Sequence, residues 1–209
     1  MKPINIFFLF FLALFLASCA SVPLPGKQNT TSAALPVKKI PTWQEREAQL
    51  NAIHSWNLNA ALALRGIKDN VTGHLQWQQT NKNYSLYLYG TLGVYSMRLN
   101  GGPGNVYLET SDGHKSSASS PELLLQQQLG WRLPVTHLLY WVRGLPVPSL
   151  PAKKQLDSEN RLSLLQQDNW NIQFLNYSTV NNVELPNKIL LTHPDLQVKL
   201  VINQWQLPI

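Results

Sequence analysis

The stretch NYSLYLYGTLGVYSMRLN, residues 83–100, decides the fold of this chain. Apolar side chains recur at every second position on both sides of Thr91-Leu92-Gly93, which is the period of a β-strand with one buried face. The short break between the two runs favours a hairpin connection. The stretch therefore predicts two antiparallel strands that share one apolar face.

Short segments of the same kind extend from this hairpin toward both ends of the chain. Turn-forming residues such as Gly101-Gly102-Pro103-Gly104 separate them. The further segments are 56–65, 71–79, 104–110, 160–166, 169–177, 187–193 and 196–206. About nine or ten strands result, which predicts a mainly β protein with a strongly curved antiparallel sheet or an incomplete barrel.

Three helices are predicted beside the strands. Thr42 and Glu45 have the spacing of a capping box at the start of the first helix. Ser120-Pro121 is a typical start of the second. The third, residues 135–143, is apolar almost all round, so it needs burial on every side. We expect this helix to line or plug the interior of the sheet.

The N-terminus has the features of a bacterial lipoprotein signal. Residues 1–18 combine a basic start, an apolar run and small residues directly before Cys19. We expect the Cys19 thiol to carry the lipid, and the alternative is an ordinary signal peptide with a chance cysteine. Residues 19–41, rich in turn formers, predict a flexible tether to a single domain over residues 42–209.

Several kinds of site are not expected. The five histidines are far apart, and Cys19 is the only cysteine, so we predict no metal site and no cofactor. No nucleophile motif or phosphate-binding loop is present, so we do not expect an enzyme. The formal net charge of +6 comes from scattered basic residues, without the stripe that nucleic acid requires.

The informative excess is apolar and aromatic. Seven Trp and seven Tyr stand in a chain with only 13% charged residues, which favours a protein that encloses an apolar guest. For any one residue an ordinary core position remains the alternative. Leu92 stands in a hairpin connection where polar residues are favoured, so it is a candidate for contact with a membrane or a partner.

Four motifs then point to a known family. They are Trp77-Gln78-Gln79-Thr80, Leu92-Gly93, Gly104-Asn105-Val106 and Trp141-Val142-Arg143-Gly144-Leu145-Pro146. In this order, and together with the cysteine after the signal, the sequence resembles the outer-membrane lipoprotein LolB family. The resemblance implies an unclosed antiparallel β-barrel of about eleven strands, with helices that cover an apolar cavity for acyl chains.

The resemblance also implies a function and a site. The chain would accept client lipoproteins from a LolA-type carrier and place them, without ATP, in the inner leaflet of the outer membrane, as a monomer facing the periplasm. Leu92 would be the membrane-insertion residue, although the family loop has Pro where this chain has Thr91. The residues expected in the cavity are Trp77, Tyr84, Leu86, Leu88, Met97, Leu99, Leu138, Trp141, Trp170 and Phe174.

Two other functions are consistent with the residues alone. A lipid-anchored module that binds a different apolar ligand would have the same cavity and helices. An envelope hydrolase would need a nucleophile or a metal site, and the sequence offers neither.

Overall fold

A computed structural model describes residues 39–66, 70–90 and 95–208. Cys19 and Leu92 lie outside these ranges. The helices are α1 (Trp43–Asn51), α2 (Pro121–Leu129) and α3 (Val135–Trp141). The strands are β1 (Ser55–Gly66), β2 (Asn70–Thr80), β3 (Asn83–Gly90), β4 (Ser96–Gly101), β5 (Val106–Thr110), β6 (Lys115–Ala118), β7 (Lys153–Leu156), β8 (Leu162–Gln167), β9 (Trp170–Val180), β10 (Val183–His193) and β11 (Leu196–Gln206).

All eleven strands of the described chain form one antiparallel sheet. Its strand order is β6-β5-β4-β3-β2-β1-β11-β10-β9-β8-β7. The strands β6 and β7 form its two edges and do not pair with each other, so the sheet is not closed into a barrel. The predicted mainly β fold with an unclosed antiparallel sheet is confirmed, and β1 is its central strand.

The two edge strands are the ones that residue alternation alone did not reveal. β6 has the sequence KSSA and β7 the sequence KKQL, and every residue of β7 is exposed. Such strands bury no apolar face, so they lack the period-2 signal of the other nine. Short, lysine-bearing edges also discourage pairing with another chain.

The first two helices begin at the capping residues that the sequence predicts, and α3 ends at Trp141, two residues before its predicted end at residue 143. In α1 the Thr42 side chain accepts a hydrogen bond from the Glu45 backbone N–H, and the Glu45 carboxylate accepts one from the Thr42 N–H at 2.7 Å. In α2 the Ser120 side chain caps the N-terminus, and Gly130 ends the helix with a φ of 72°. Among the described residues, no helix is both long and apolar enough to cross a membrane.

Arg143, directly after α3, connects the ends of two helices. Its Nη1 donates to the carbonyls of Leu50 at 3.1 Å and Ile53 at 2.7 Å, at the end of α1. Its Nε donates to the carbonyl of Leu139 in α3 at 2.9 Å. Because the last carbonyls of a helix lack partners within the helix, one side chain satisfies both ends and fixes α3 relative to α1.

We therefore expect Arg143→Met to lower the free energy of unfolding by about 2–4 kcal/mol, because the part-buried carbonyls of Ile53 and Leu139 lose their side-chain donor. Denaturant titration of the purified protein measures this loss. The matched control is Arg98→Met, at an exposed position of β4, where the guanidinium lies over the Tyr87 ring at 4.5 Å. Its expected effect is about 1 kcal/mol or less. Equal losses for the two variants would contradict the helix-joining role of Arg143.

Candidate functional site

An apolar cavity lies between the inner face of the sheet and the second and third helices. Its volume is about 60 Å³, and its lining side chains are all leucine, valine, methionine or tryptophan. The wall from the strands consists of Leu62, Leu64, Leu75, Trp77, Leu86, Leu88, Met97, Leu99, Val198 and Leu200. The wall from the helices and their linker consists of Leu125, Trp131, Leu133, Val135 and Leu138.

Six of the ten residues predicted from the sequence line this cavity, and strand register explains five of them. Leu86 pairs with Leu99, and Leu88 pairs with Met97, across β3 and β4. Trp77 pairs with Leu86 from β2. Paired residues in antiparallel strands point to the same face. The sixth, Leu138, is buried on α3.

Trp77 is held in the cavity wall by its own motif. Its indole N–H donates to the Gln79 side-chain oxygen at 3.2 Å. The Gln79 amide in turn donates to the Asn81 carbonyl at 2.7 Å. Since a buried indole N–H needs an acceptor, Gln79 lets a tryptophan occupy an apolar wall without an unsatisfied donor.

The other four predicted cavity residues lie elsewhere in the core. Trp141 donates its indole N–H to Gln167 at 3.0 Å, and its ring packs near Trp170 at 6.0 Å. Phe174 packs near Tyr177. These contacts place the rings of Trp141, Trp170 and Phe174 near β8 and β9. The strands that form the cavity wall are β1–β4 and β11.

Tyr84, the fourth of them, lies against Gly101 in β4, where a Cβ atom would meet its ring. Burial, and secondarily the charge of Glu122, raises the pKa of the Tyr84 hydroxyl well above its ordinary value. The hydroxyl group is therefore neutral at any physiological pH. The Tyr84 side chain is buried in the core near α2, and its neutral hydroxyl adds no charge near the cavity.

Nine cavity residues were missing from the sequence prediction. Four of them, Leu62, Leu64, Val198 and Leu200, sit on the paired strands β1 and β11, where Leu62 faces Leu200 and Leu64 faces Val198. The period-2 alternation of apolar residues in these two strands could have identified them as inward-facing from the sequence. Trp131 and Leu133 belong to the linker between α2 and α3, and apolar residues in so short a linker also indicated burial.

The cavity as it stands is small. A volume of about 60 Å³ holds roughly two water molecules at ~30 Å³ each. Sites for drug-sized ligands have volumes of about 300–1,000 Å³. Part of the wall nevertheless reaches the surface, because Leu62, Leu86, Met97, Trp131 and Leu133 are only half-buried. An acyl chain would need the helical side of the wall to move outward.

The contacts of the two helices indicate which part would move. α3 has no side-chain cap of its own, and the Glu122 carboxylate of α2 accepts from the Thr136 backbone N–H and hydroxyl, both at 2.9 Å. The other end of α3 is fixed by Trp141 to Gln167 and by Arg143 to α1. α2 is itself packed through the buried Leu124 and Leu125. The less restrained part is therefore the linker, whose Trp131 and Leu133 are only half-buried.

Metal ligation is not a feature of this part of the chain. Across residues 39–66, 70–90 and 95–208, no group of three or more His, Cys, Asp or Glu side chains is placed to hold a metal ion. The side chains that line the cavity are apolar, so the chemistry that this site offers is the burial of apolar groups.

Comparisons with known proteins agree with this fold. Among solved structures, a DUF1329 family protein from Desulfovibrio piger matches with a TM-score of 0.53 at 5% identity, covering 80% of this chain and 91% of that protein. An outer membrane lipoprotein-sorting protein domain from Vibrio parahaemolyticus matches with a TM-score of 0.50 at 9% identity, covering 78% of this chain and 89% of that domain. Identities this low indicate the fold alone.

Sequence relatives are much more similar. Outer-membrane lipoprotein LolB of Pseudomonas putida is 43% identical over 164 residues, which cover 78% of this chain and 80% of the relative. The LolB of Pseudomonas aeruginosa is 41% identical over 197 residues, covering 93% and 96%. The family model described as outer membrane lipoprotein LolB matches residues 54–205. This chain therefore belongs to the LolB family of outer-membrane lipoproteins.

Proposed function

We propose that this chain accepts lipoproteins from a LolA-type periplasmic carrier and inserts their acyl chains into the inner leaflet of the outer membrane without ATP. Membership of the LolB family makes it an outer-membrane lipoprotein with a receptor role in lipoprotein localisation. The observation that carries the finer mechanism is the cavity, whose fifteen lining residues are all apolar and come from both sheet and helices.

The energetics explain why such a cavity is needed. Three acyl chains together carry on the order of 40 methylenes, and at ~0.8 kcal/mol each their exposure to water costs on the order of 30 kcal/mol. Diffusion of a free client through water is therefore negligible. A shielded path requires an apolar surface at every stage, and this cavity supplies one at the membrane.

Without an energy source, transfer follows a gradient of affinity from carrier to cavity to bilayer. The small volume of the cavity contributes to this gradient, because client binding must move the helical side of the wall away from the sheet. The cost of opening weakens the grip on the client and favours its release into lipid. Cys19 and the tether would keep the cavity near the membrane surface, and Leu92 would enter it.

The experiment is a transfer assay with purified components. A client-loaded LolA carrier is mixed with this protein, and the client is followed by separation of the two complexes. We expect most of the client to move to this protein without added nucleotide. Failure of any client to move would exclude the receptor mechanism and favour the rival reading, a lipid-anchored module for a different apolar ligand.

A further inference from the structure

The outer face of the sheet, opposite the cavity, carries an unusual surface. Residues with side chains on this face follow each other from strand to strand in register. One rung, here called the amide row, runs through Gln206, Asn57, Gln78, Ser85, Asn100 and Tyr107. The next rung runs through Gln204, Asn59, Gln76, Tyr87, Arg98 and Glu109, and the Glu109 carboxylate forms an ion pair with Lys115 outside the lining of the groove.

Between these two rungs lies a groove of about 300 Å³. Its lining contains the amides of Asn57, Asn59, Gln76 and Gln78 but no carboxylate. The only charged side chain in the lining is Arg98, whose guanidinium is placed over the Tyr87 ring. The groove is therefore polar, rich in paired donors and acceptors, and nearly uncharged.

The amides of the central strand oppose its strand propensity. Asn is disfavoured in strands, yet Asn57 and Asn59 occupy alternate exposed positions of β1, the central strand of the sheet. Thr at these positions would also keep the outer face hydrophilic, and it has a higher strand propensity. Asn59 also serves the sheet, because it lies at a register shift between β1 and β11 and contacts Gln204. The Asn57 side chain makes no hydrogen bond within the described part of the chain, and a residue that opposes local propensity in this way marks a candidate functional surface.

One contact already orders the groups in the groove. The Asn59 amide donates to the Gln204 side-chain oxygen at 3.0 Å. The Asn59 oxygen and the Gln204 amide then make no side-chain hydrogen bond within the described part of the chain, and each can serve a ligand. A ligand that fits must offer both donors and acceptors and carry little charge, as hydroxyl and acetamido groups do.

The spacing of the row favours a linear polymer of such groups. Neighbouring strands lie about 4.8 Å apart, so six strands present one polar side chain at each step over roughly 24 Å. This step is close to the length of one sugar in an extended 1,4-linked glycan. At the end of the row the Tyr107 side chain is 54% exposed, which leaves an aromatic surface for the apolar face of a sugar ring.

We propose that the amide row and its groove bind a linear, uncharged, 1,4-linked glycan of N-acetylated sugars, lying across the strands. Four of the six positions of the row offer an amide and Ser85 offers a hydroxyl, while Tyr107 stacks on a terminal ring. This site lies on the face opposite the acyl-chain cavity and is independent of it. Glycan binding would hold the outer face of the protein against a polysaccharide layer while the cavity remains free for its apolar guest.

The test is calorimetric titration of the full-length lipoprotein, in detergent, with chitotetraose and with cellotetraose. We expect saturable binding of chitotetraose and clearly weaker binding of cellotetraose, which lacks acetamido groups. No binding of chitotetraose at millimolar concentration would overturn the proposal. Equal binding of the two sugars would overturn the preference for N-acetylated sugars.

Variants assign the binding to the groove. Asn57→Thr with Gln78→Thr should weaken chitotetraose binding about tenfold, because two polar contacts are lost while strand propensity rises. Tyr107→Ala, at an exposed position, should weaken it as well. The matched control is Gln173→Thr, an exposed amide on β9 away from the groove, which should leave binding unchanged. Equal binding by the double variant and the control would overturn the site.

Discussion

Met97→Glu is expected to reduce client acceptance on the order of 100-fold while the protein stays folded. Met97 lines the cavity from β4 and is only half-buried, so in the empty protein a carboxylate at this position still reaches water. An acyl chain in the cavity would remove that water, and burial of an unpaired carboxylate costs at least several kcal/mol. The measurement is the fraction of client that moves from a loaded LolA carrier, with binding of a fluorescent fatty acid as a second readout.

The matched control is Ser96→Glu, one residue away on the same strand. Successive residues in a strand point to opposite faces, and Ser96 pairs with Tyr89, outside the cavity lining. The control should accept clients and bind the fatty acid as the parent protein does. Thermal unfolding verifies that both variants are folded. Full acceptance by folded Met97→Glu would mean that acyl chains do not enter this cavity.

Strands with a buried face could be predicted from the sequence, and strands without one could not. β3 and β4 carry alternating apolar residues because one side of each contacts the core. β6 and β7 lie at the edges and bury no apolar face, so their sequences resemble loops. Their existence followed from the family resemblance, which implied about eleven strands, and the structure confirms that number.

The site was predicted in part for a similar reason. Period-2 alternation identifies which residues face inward, and Leu86, Leu88, Met97 and Leu99 do line the apolar cavity of the structure. That acyl chains enter this cavity stays a prediction. It does not identify which stretch of a long inner face borders the cavity. Trp170 and Phe174 alternate inward equally well, but their strand β9 lies on the other side of β11, against different partners.

For Trp141 the limit is hydrogen bonding rather than periodicity. An apolar helix predicts burial of this residue, and it is fully buried. Its position depends on Gln167, which accepts from its indole and also donates to the carbonyls of Val147 and Leu150, both at 3.0 Å. Gln167 is distant in sequence, so no local pattern connects the two. Trp141 therefore anchors α3, and we do not expect it to yield to an incoming acyl chain.

Leu92→Glu is expected to leave client acceptance intact and to slow delivery into lipid vesicles at least about tenfold. In membrane-insertion scales the exchange of an apolar for a charged side chain costs roughly 3 kcal/mol at the bilayer centre, and less near the interface. The role of Leu92 as a membrane-insertion residue stays a proposal, drawn from the sequence, since the residue lies outside the described ranges. Two separate measurements are needed, namely transfer from the LolA carrier and transfer from this protein to vesicles.

Two control variants test whether the slower delivery is specific to a charge at position 92. Leu175→Glu changes a leucine that is 48% exposed on β9, so it tests whether any exposed leucine has the same effect, and it should deliver normally. Leu92→Phe keeps an apolar side chain at the position and should also deliver normally. If Leu92→Glu and Leu175→Glu deliver equally fast, the bilayer is reached by another part of the protein. If Leu92→Glu fails to accept clients, Leu92 acts before the membrane step, at the contact with the carrier.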